Sequence, residues 1–146
     1  MPVLIKNNQN SRKINIKRIS QKAQDLLNAL GFPNTELSIL ITEDLEMAFL
    51  NKKYLKKEGT TNVIAFPMHK DILKADEITG IQIGDVVISA DTAKKESEIE
   101  NIGFETKLFQ LLVHGILHLV GYDHETSEED AVVMEDKSIE LLNLID

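Results

Sequence analysis

The segment ETKLFQLLVHGILHLVGYDH, residues 105–124, decides how this chain is organised. From Glu105 to about Val120 nearly every position is apolar, which predicts a helix that is buried around most of its circumference. His114 and His118 lie four residues apart within it, so both side chains should project from one side of the helix, one turn apart. We therefore expect a buried central helix carrying polar groups that need a partner.

The end of this helix points to a metal site. Gly121 stands where the helix should stop, because glycine takes the left-handed conformation that closes many helices at little cost. A continuous helix would carry His124 about 15 Å along the axis from His114, whereas a turn at Gly121 brings it back. The spacing H-x3-H-x5-H with that glycine matches the ligand string of the metzincin proteases. We predict one zinc ion bound by His114, His118 and His124, with a fourth position left for water.

The residue after the first histidine separates the reaction classes. Metzincins use a glutamate there as the general base, but this chain has Gly115, so peptide hydrolysis by that mechanism lacks its proton acceptor. Asp85 and Asp123 are the candidate catalytic carboxylates. Either would equally serve to orient a ligand imidazole, and for Asp123 that role or a loop cap is the favoured interpretation. Tyr122 is more typical of packing than of chemistry.

Length, charge and composition limit the setting. The chain has 146 residues, a net charge of −8 and no cysteine, which suits one domain over residues 1–146 and a metal site without thiolates. With neither a membrane-length apolar run nor a secretory pattern, we expect a cytoplasmic protein without a membrane partner. Residues 1–70 carry 11 basic and 6 acidic side chains (net +5), and residues 71–146 carry 5 and 18 (net −13). This asymmetry permits an RNA-binding face, but ordinary solvated helix faces would also produce it.

The remaining elements follow from the spacing of apolar residues. We predict strands at 2–7, 37–42, 63–66 and 84–89, and helices at 16–30, 44–54 and 90–101. A last helix should follow Ser127 as its N-cap. This order predicts a single-domain α+β (α/β-like) fold, with one sheet and several helices around the buried central helix. The expected apolar positions are Leu45, Ala48, Phe49 and Leu50 in helix 44–54, and Val132, Val133, Ile139 and Leu142 in the last helix.

The histidine segment resembles a known family. HGILHLVGYDH (114–124) is similar to the signature of the YbeY family of rRNA-maturation endoribonucleases. LNKKYLKKEGTTNVIAF (50–66), IGDVVIS (83–89) and the segment around Met134 look like further family blocks in the same order. The resemblance implies a small mixed sheet, zinc held by the three histidines, and metal-dependent cleavage of single-stranded RNA. It also implies late maturation and quality control of the small ribosomal subunit, including 3′-end processing of its rRNA, with that subunit as partner and DNA not predicted.

The chain departs from the family pattern at Leu55, where many members have arginine. The resemblance implies that this arginine contributes to activity, and a lysine nearby cannot reproduce the guanidinium fork. Ala65, where the family often has serine, is a milder change.

Cations should line the approach of an RNA backbone, and two clusters qualify. Because of their four-residue spacing, Lys53 and Lys57 would share a face if both were helical. No tryptophan and no aromatic ladder are present, so sequence-specific base recognition is not predicted. The candidate RNA-binding residues are Lys52, Lys53, Lys56 and Lys57, with a second basic group at Arg12, Lys13, Lys17, Arg18 and Lys22.

Three hypotheses remain open on the sequence. The first is a zinc-dependent endoribonuclease of rRNA maturation. The second is a metallopeptidase-like or other small-substrate metallohydrolase. The third is a non-catalytic ribosome-assembly factor with a structural zinc. Leu55 keeps this hypothesis open because it replaces the arginine that contributes to activity.

Overall fold

The computed structural model describes residues 3–68, 82–122 and 127–145. Each predicted helix and strand is present, with its ends displaced by one or two residues at most. Within the described ranges, no helix is both long enough and apolar enough to cross a bilayer. The elements in chain order are β1 (Val3–Asn7), α1 (Ile16–Leu30), β2 (Glu36–Thr42), α2 (Asp44–Leu55), β3 (Val63–Pro67), β4 (Gln82–Ser89), α3 (Ala90–Glu100), α4 (Phe104–Leu119) and α5 (Glu128–Ile145).

The strands form one mixed sheet in the order β1-β2-β4-β3. β1, β2 and β4 run parallel to one another, and β3 pairs antiparallel with β4 at the edge of the sheet. β4 contains a one-residue bulge, because Glu36 pairs with Gln82 whereas Leu37 pairs with Gly84. Gly84 has a φ of 143°, and a Cβ there would lie 2.7 Å from Leu119 Cδ2 and closer still to the Phe66 carbonyl oxygen. The α+β fold with a small mixed sheet is confirmed.

The two faces of the sheet are covered differently. Alternate strand residues, such as Ile39 and Val86, point into the main core, which is completed by α1, α3, α4 and α5. The intervening residues, such as Val87, point the other way, where α2 contributes Met47 to a smaller cluster. The chain thus forms two layers of unequal size on the sheet, with α2 by itself on the thinner side.

Helix α4 is the predicted central helix, and a glycine lets it approach the sheet closely. Ten of its 16 residues are buried. A Cβ at Gly115 would lie 2.7 Å from Val86 Cγ1 and 3.4 Å from Val63 Cγ2. Because any side chain at Gly115 would push α4 away from β3 and β4, this contact fixes the height and rotation of the helix. The positions of His114 and His118 follow from that rotation.

Helix α5 buries a different stripe from the one that its apolar spacing predicted. Val132, Val133 and Ile139 are 58%, 55% and 50% exposed, and of the four predicted positions only Leu142 packs against the core. The helix carries two apolar stripes, and the one with the longer side chains reaches α4 and α1. The residues buried on α5 are Met134, Leu141 and Ile145.

Helix α2 is also rotated relative to the prediction. Leu45 and Phe49 are 88% and 61% exposed, whereas Met47 is fully buried. The rotation has a polar cause: Asn51 is buried, and its Nδ2 donates a hydrogen bond to the Gly59 carbonyl oxygen at 2.9 Å. For the Asn51 amide to reach this loop carbonyl, the face of α2 that carries Asn51 must be turned inward. Leu45 and Phe49, on other faces, then lie at the surface.

Candidate metal centre

The two histidines of α4 form a converging pair. Their Nε2 atoms lie 3.1 Å apart, and the ring centroids lie 4.6 Å apart with an interplanar angle of 78°. Two nitrogens, each about 2.0–2.1 Å from a tetrahedral zinc, are separated by about 3.3 Å. Both rings are half-buried, on a helix that is otherwise mostly apolar. The donor atoms and their spacing therefore fit two ligands of one zinc ion.

Helix α4 ends shortly after this pair. Gly121 has a φ of 108°, its N–H donates to the His118 carbonyl oxygen at 3.2 Å, and the Tyr122 N–H donates to the Leu117 carbonyl oxygen at 3.0 Å. These two bonds form the Schellman motif that closes helices at a left-handed glycine. The predicted helix end at Gly121 is confirmed, and Tyr122 packs against the core as expected.

The third predicted ligand, His124, lies outside the described residues, as does Asp123. In the described ranges no three His, Cys, Asp or Glu side chains come together as a metal site. A site with three protein ligands therefore depends on a residue beyond those ranges. His124 is two residues past the last described residue of the turn, and its role stays a prediction.

The structure separates Asp85 from the histidine pair. Its neighbours Gly84 and Val86 face α4, so Asp85 and Val87 point to the opposite side of the sheet. There Asp85 borders a groove beside α2 rather than the metal ligands. The position next to His114 offers no base either, because Gly115 packs directly on Val86.

The groove beside Asp85 is a feature that the strand pattern did not predict. It has a volume of about 550 Å³ and crosses the thinly covered face of the sheet. Gln82 Nε2 donates a hydrogen bond to Ser38 Oγ at 2.9 Å beside it. Alternation along three neighbouring strands was the signal that could have located it. Its lining residues include Leu4, Lys6, Ser38, Leu50, Tyr54 and Asp85.

An ion-pair network around a buried lysine lies along α4 on the side of the histidines. Lys107 precedes His114 by seven residues, two helical turns, and therefore projects from the same side of the helix. Its side chain is 10% exposed, and its Nζ lies 2.7 Å from Glu100 Oε2 and 3.4 Å from Glu96 Oε1. Glu96 also accepts a hydrogen bond from Asn62 Nδ2 at 3.0 Å. The network ties α3 and the loop before β3 to the helix that carries the histidines.

Asp44 holds that loop at a second point, two residues before Asn62. Its carboxylate accepts hydrogen bonds from Ser89 Oγ at 2.6 Å, Thr92 Oγ1 at 2.6 Å and Thr60 Oγ1 at 3.1 Å. Burial raises the pKa of Asp44, but these three hydrogen bonds and the charge of Lys95 outweigh burial, so the pKa lies below its ordinary value of 3.8. The segment 56–62 is thus fixed at Thr60 as well as at Asn62.

The four candidate RNA-binding lysines lie at and after the end of α2. Lys56 closes the helix with a φ of 59°, its N–H donating to the Lys52 carbonyl oxygen at 3.2 Å. Lys57 therefore lies outside the helix, so the condition for a helical face shared with Lys53 is not met. Lys52 pairs with Glu58 at 3.1 Å, and Lys53 lies beside two aromatic rings.

The second basic group is partly occupied by structural contacts. Arg18 Nε lies 2.8 Å from Glu105 Oε1, and its guanidinium lies 5.7 Å from the Phe109 ring centroid. Lys13 precedes the start of α1, so it does not extend the helical face of Lys17. Arg18 is thus engaged in structural contacts, as Lys52 is in the group near α2.

The chain is similar to known proteins over nearly its whole length. The model of the family described as Endoribonuclease YbeY matches residues 4–146. A protein named Endoribonuclease YbeY from Geobacter metallireducens is 43% identical over 147 residues, covering 100% of this chain and 97% of the relative. One of the same name from Aquifex aeolicus is 43% identical over 135 residues, covering 92% and 83%. The solution structure of TM1509 from Thermotoga maritima is 18% identical, with a TM-score of 0.70 over 98% of this chain and 88% of that one, so it shares the fold.

Proposed function

This chain belongs to the YbeY family of endoribonucleases, and from that premise we propose that it cleaves single-stranded RNA using one zinc ion held by His114, His118 and His124. Family membership makes it a hydrolase that acts on RNA. The observation that carries the metal proposal is the approach of two imidazole Nε2 atoms to 3.1 Å on a mostly apolar helix. Converging nitrogens in such surroundings suit a metal better than solvent.

The protein contributes rigid placement to this chemistry. When bound there, zinc supplies a Lewis acid for the phosphodiester and activates water at neutral pH. Three neutral imidazoles would leave the ion its full charge, which favours an anionic phosphodiester as ligand. The contact of Gly115 with Val86 holds α4 against the sheet and so fixes both imidazoles. Of the two candidate carboxylates, Asp85 is ill placed for proton transfer because it faces the groove on the far side of the sheet, so Asp123 stays the candidate.

The proposed substrate is the rRNA of the small ribosomal subunit, cut late in maturation at or near its 3′ end in the cytoplasm. The motif resemblance and the names of the relatives support this choice. A metallopeptidase is disfavoured because the position that would carry its glutamate is packed on Val86. A non-catalytic assembly factor is the second candidate, since Leu55, 41% exposed, replaces an arginine common in the family.

The test combines metal content with cleavage. We expect the purified chain to bind one zinc and to cut single-stranded RNA, and we expect chelation to abolish cutting. His114→Ala, His118→Ala and His124→Ala should each lose zinc and activity, whereas Ile99→Ala, at an 84% exposed residue of α3, is the control and should keep both. Cleavage that persists in His114→Ala or after removal of zinc would overturn the proposal. Zinc binding and co-sedimentation with small subunits without cleavage would favour the assembly factor.

A further inference from the structure

Two aromatic rings and a lysine form an exposed strip on α2. Phe49 and Tyr54 are 61% and 54% exposed. Lys53 Nζ lies over both rings, 5.6 Å from the Phe49 ring centroid and 5.2 Å from the Tyr54 ring centroid. We call Phe49, Lys53 and Tyr54 the α2 platform. Two flat apolar surfaces are thus presented to solvent with a cation over both.

The core does not account for these rings. The inward face of α2 is formed by Met47, Leu50 and Asn51. Tyr54 is oriented from one side by Phe66, at 5.4 Å between ring centroids and an interplanar angle of 71°, while the rest of its ring stays accessible. An orienting contact behind an exposed ring reduces the entropy lost when a flat ligand stacks on it.

The α2 platform lies at the same end of the sheet as the histidine pair. Tyr54 contacts Phe66, and the Phe66 carbonyl oxygen approaches Gly84. On the opposite face, Gly84 packs against Leu119, which follows His118 in α4. Phe66 and Gly84 therefore lie between Tyr54 and the end of the helix that carries the metal ligands.

Charge selects the occupant of this surface. Lys52 precedes Lys53 of the α2 platform, Lys56 and Lys57 follow Tyr54 within three residues, and Glu58 pairs with Lys52 at 3.1 Å. The chain as a whole carries −8, and this region is one of its two basic groups. Exposed rings interleaved with cations are what single-stranded nucleic acids bind, through base stacking and phosphate contacts. An acidic peptide would use the charges but would have less need of two flat rings.

We propose that the α2 platform binds unpaired bases of the RNA substrate, which stack on Phe49 and Tyr54 while Lys53 contacts the adjoining phosphate. This inference rests on the proposed function, because it places part of the RNA that is cut at the histidines. It adds a stacking subsite to a chain in which the sequence showed no aromatic ladder. Stacking tolerates every base, so the subsite confers affinity for single strands rather than sequence preference.

Binding measured without cleavage tests the subsite. In the full-length His114→Ala background, fluorescence anisotropy with a labelled single-stranded RNA should show that Phe49→Leu binds about tenfold more weakly, the loss of one stacked base. Phe49→Tyr should retain affinity because it keeps a ring. Lys53→Gln should reduce the slope of log K against log salt by about 0.7, the value for one phosphate on a single strand. Ile99→Ala, at an 84% exposed apolar residue of α3, is the matched control and should bind normally.

An abasic RNA separates stacking from general apolar contact. With bases removed from the unpaired stretch, the parent and Phe49→Leu should bind equally, because no base remains to stack. The subsite is overturned if Phe49→Leu and Tyr54→Leu bind intact RNA as the parent does, or if their loss persists on abasic RNA. It is also overturned if these variants bind RNA normally but no longer co-sediment with small subunits, since the strip would then serve a protein partner. Cleavage by the histidines is measured separately, so failure of the subsite and failure of the nuclease are distinguishable.

Discussion

Lys107 allows the free-energy cost of a buried, unpaired charge in this protein to be measured. Its side chain is 10% exposed, whereas those of Glu96 and Glu100 are 31% and 44% exposed. Replacing both glutamates with alanine leaves the ammonium buried and uncompensated. Breaking a buried pair from one side costs 3–5 kcal/mol, and because water reaches this network we expect about 3 kcal/mol for Glu96→Ala/Glu100→Ala.

The opposite change should be much milder. Lys107→Met removes the desolvated charge and keeps a side chain of similar length, and the glutamates that remain are exposed enough to be hydrated. We expect Lys107→Met to cost about 1 kcal/mol or less. Added to the double alanine variant, it should recover about 2 kcal/mol, because the buried charge that caused the loss is gone.

Urea unfolding followed by circular dichroism measures these differences, provided that the slope of free energy against urea is the same for all four proteins. The informative comparison is the triple variant with the double. A triple variant no more stable than the double would mean that the ammonium is not what the double destabilises. Burial of the Lys107 charge would then not explain the loss of stability, even if the other variants behaved as expected.

Three further predictions concern single positions. Lys56→Gly should raise the free energy of unfolding by about 0.5 kcal/mol. The left-handed φ of 59° strains a non-glycine residue by about 1–2 kcal/mol, and part of the gain is offset because glycine loses more conformational entropy on folding. Lys57→Gly is the control, and its urea unfolding should show no stabilisation. Gly115→Ala should cost about 2 kcal/mol through overpacking on Val86, and Val86→Ala in the same chain should relieve part of it; additive losses in urea would contradict the contact. Because the pKa of Asp44 is lowered on folding, its contribution to stability is complete above its ordinary value of 3.8 and is lost as pH falls toward the folded pKa. Asp44→Asn should therefore flatten the acid limb of stability against pH, and an unchanged limb would count against the hydrogen bonds assigned to it.

The sequence by itself determined the features that depend on near neighbours in the chain. The apolar spacing of residues 16–30 predicted α1 with its observed ends, and Gly121 predicted the turn that closes α4. Ser127 was predicted as the N-cap of α5, and its Oγ accepts a hydrogen bond from the Asp130 N–H at 3.0 Å. Helix periodicity, capping and left-handed turns depend on contacts within a few residues, so they can be predicted from the local sequence.

The tertiary structure decided which of two available faces is used. α2 and α5 each carry two apolar faces, and distant partners choose between them: the Gly59 carbonyl selects Asn51 and Met47, and the main core selects Met134 and Leu141. The sequence predicted Asp85 as a candidate base, but the alternation of side chains along β4 places it on the face of the sheet away from α4. The salt bridges of Lys107 form because α3 packs beside α4. A pattern in the sequence specifies that a face exists, but the free energy of burying it depends on surfaces supplied by residues far along the chain.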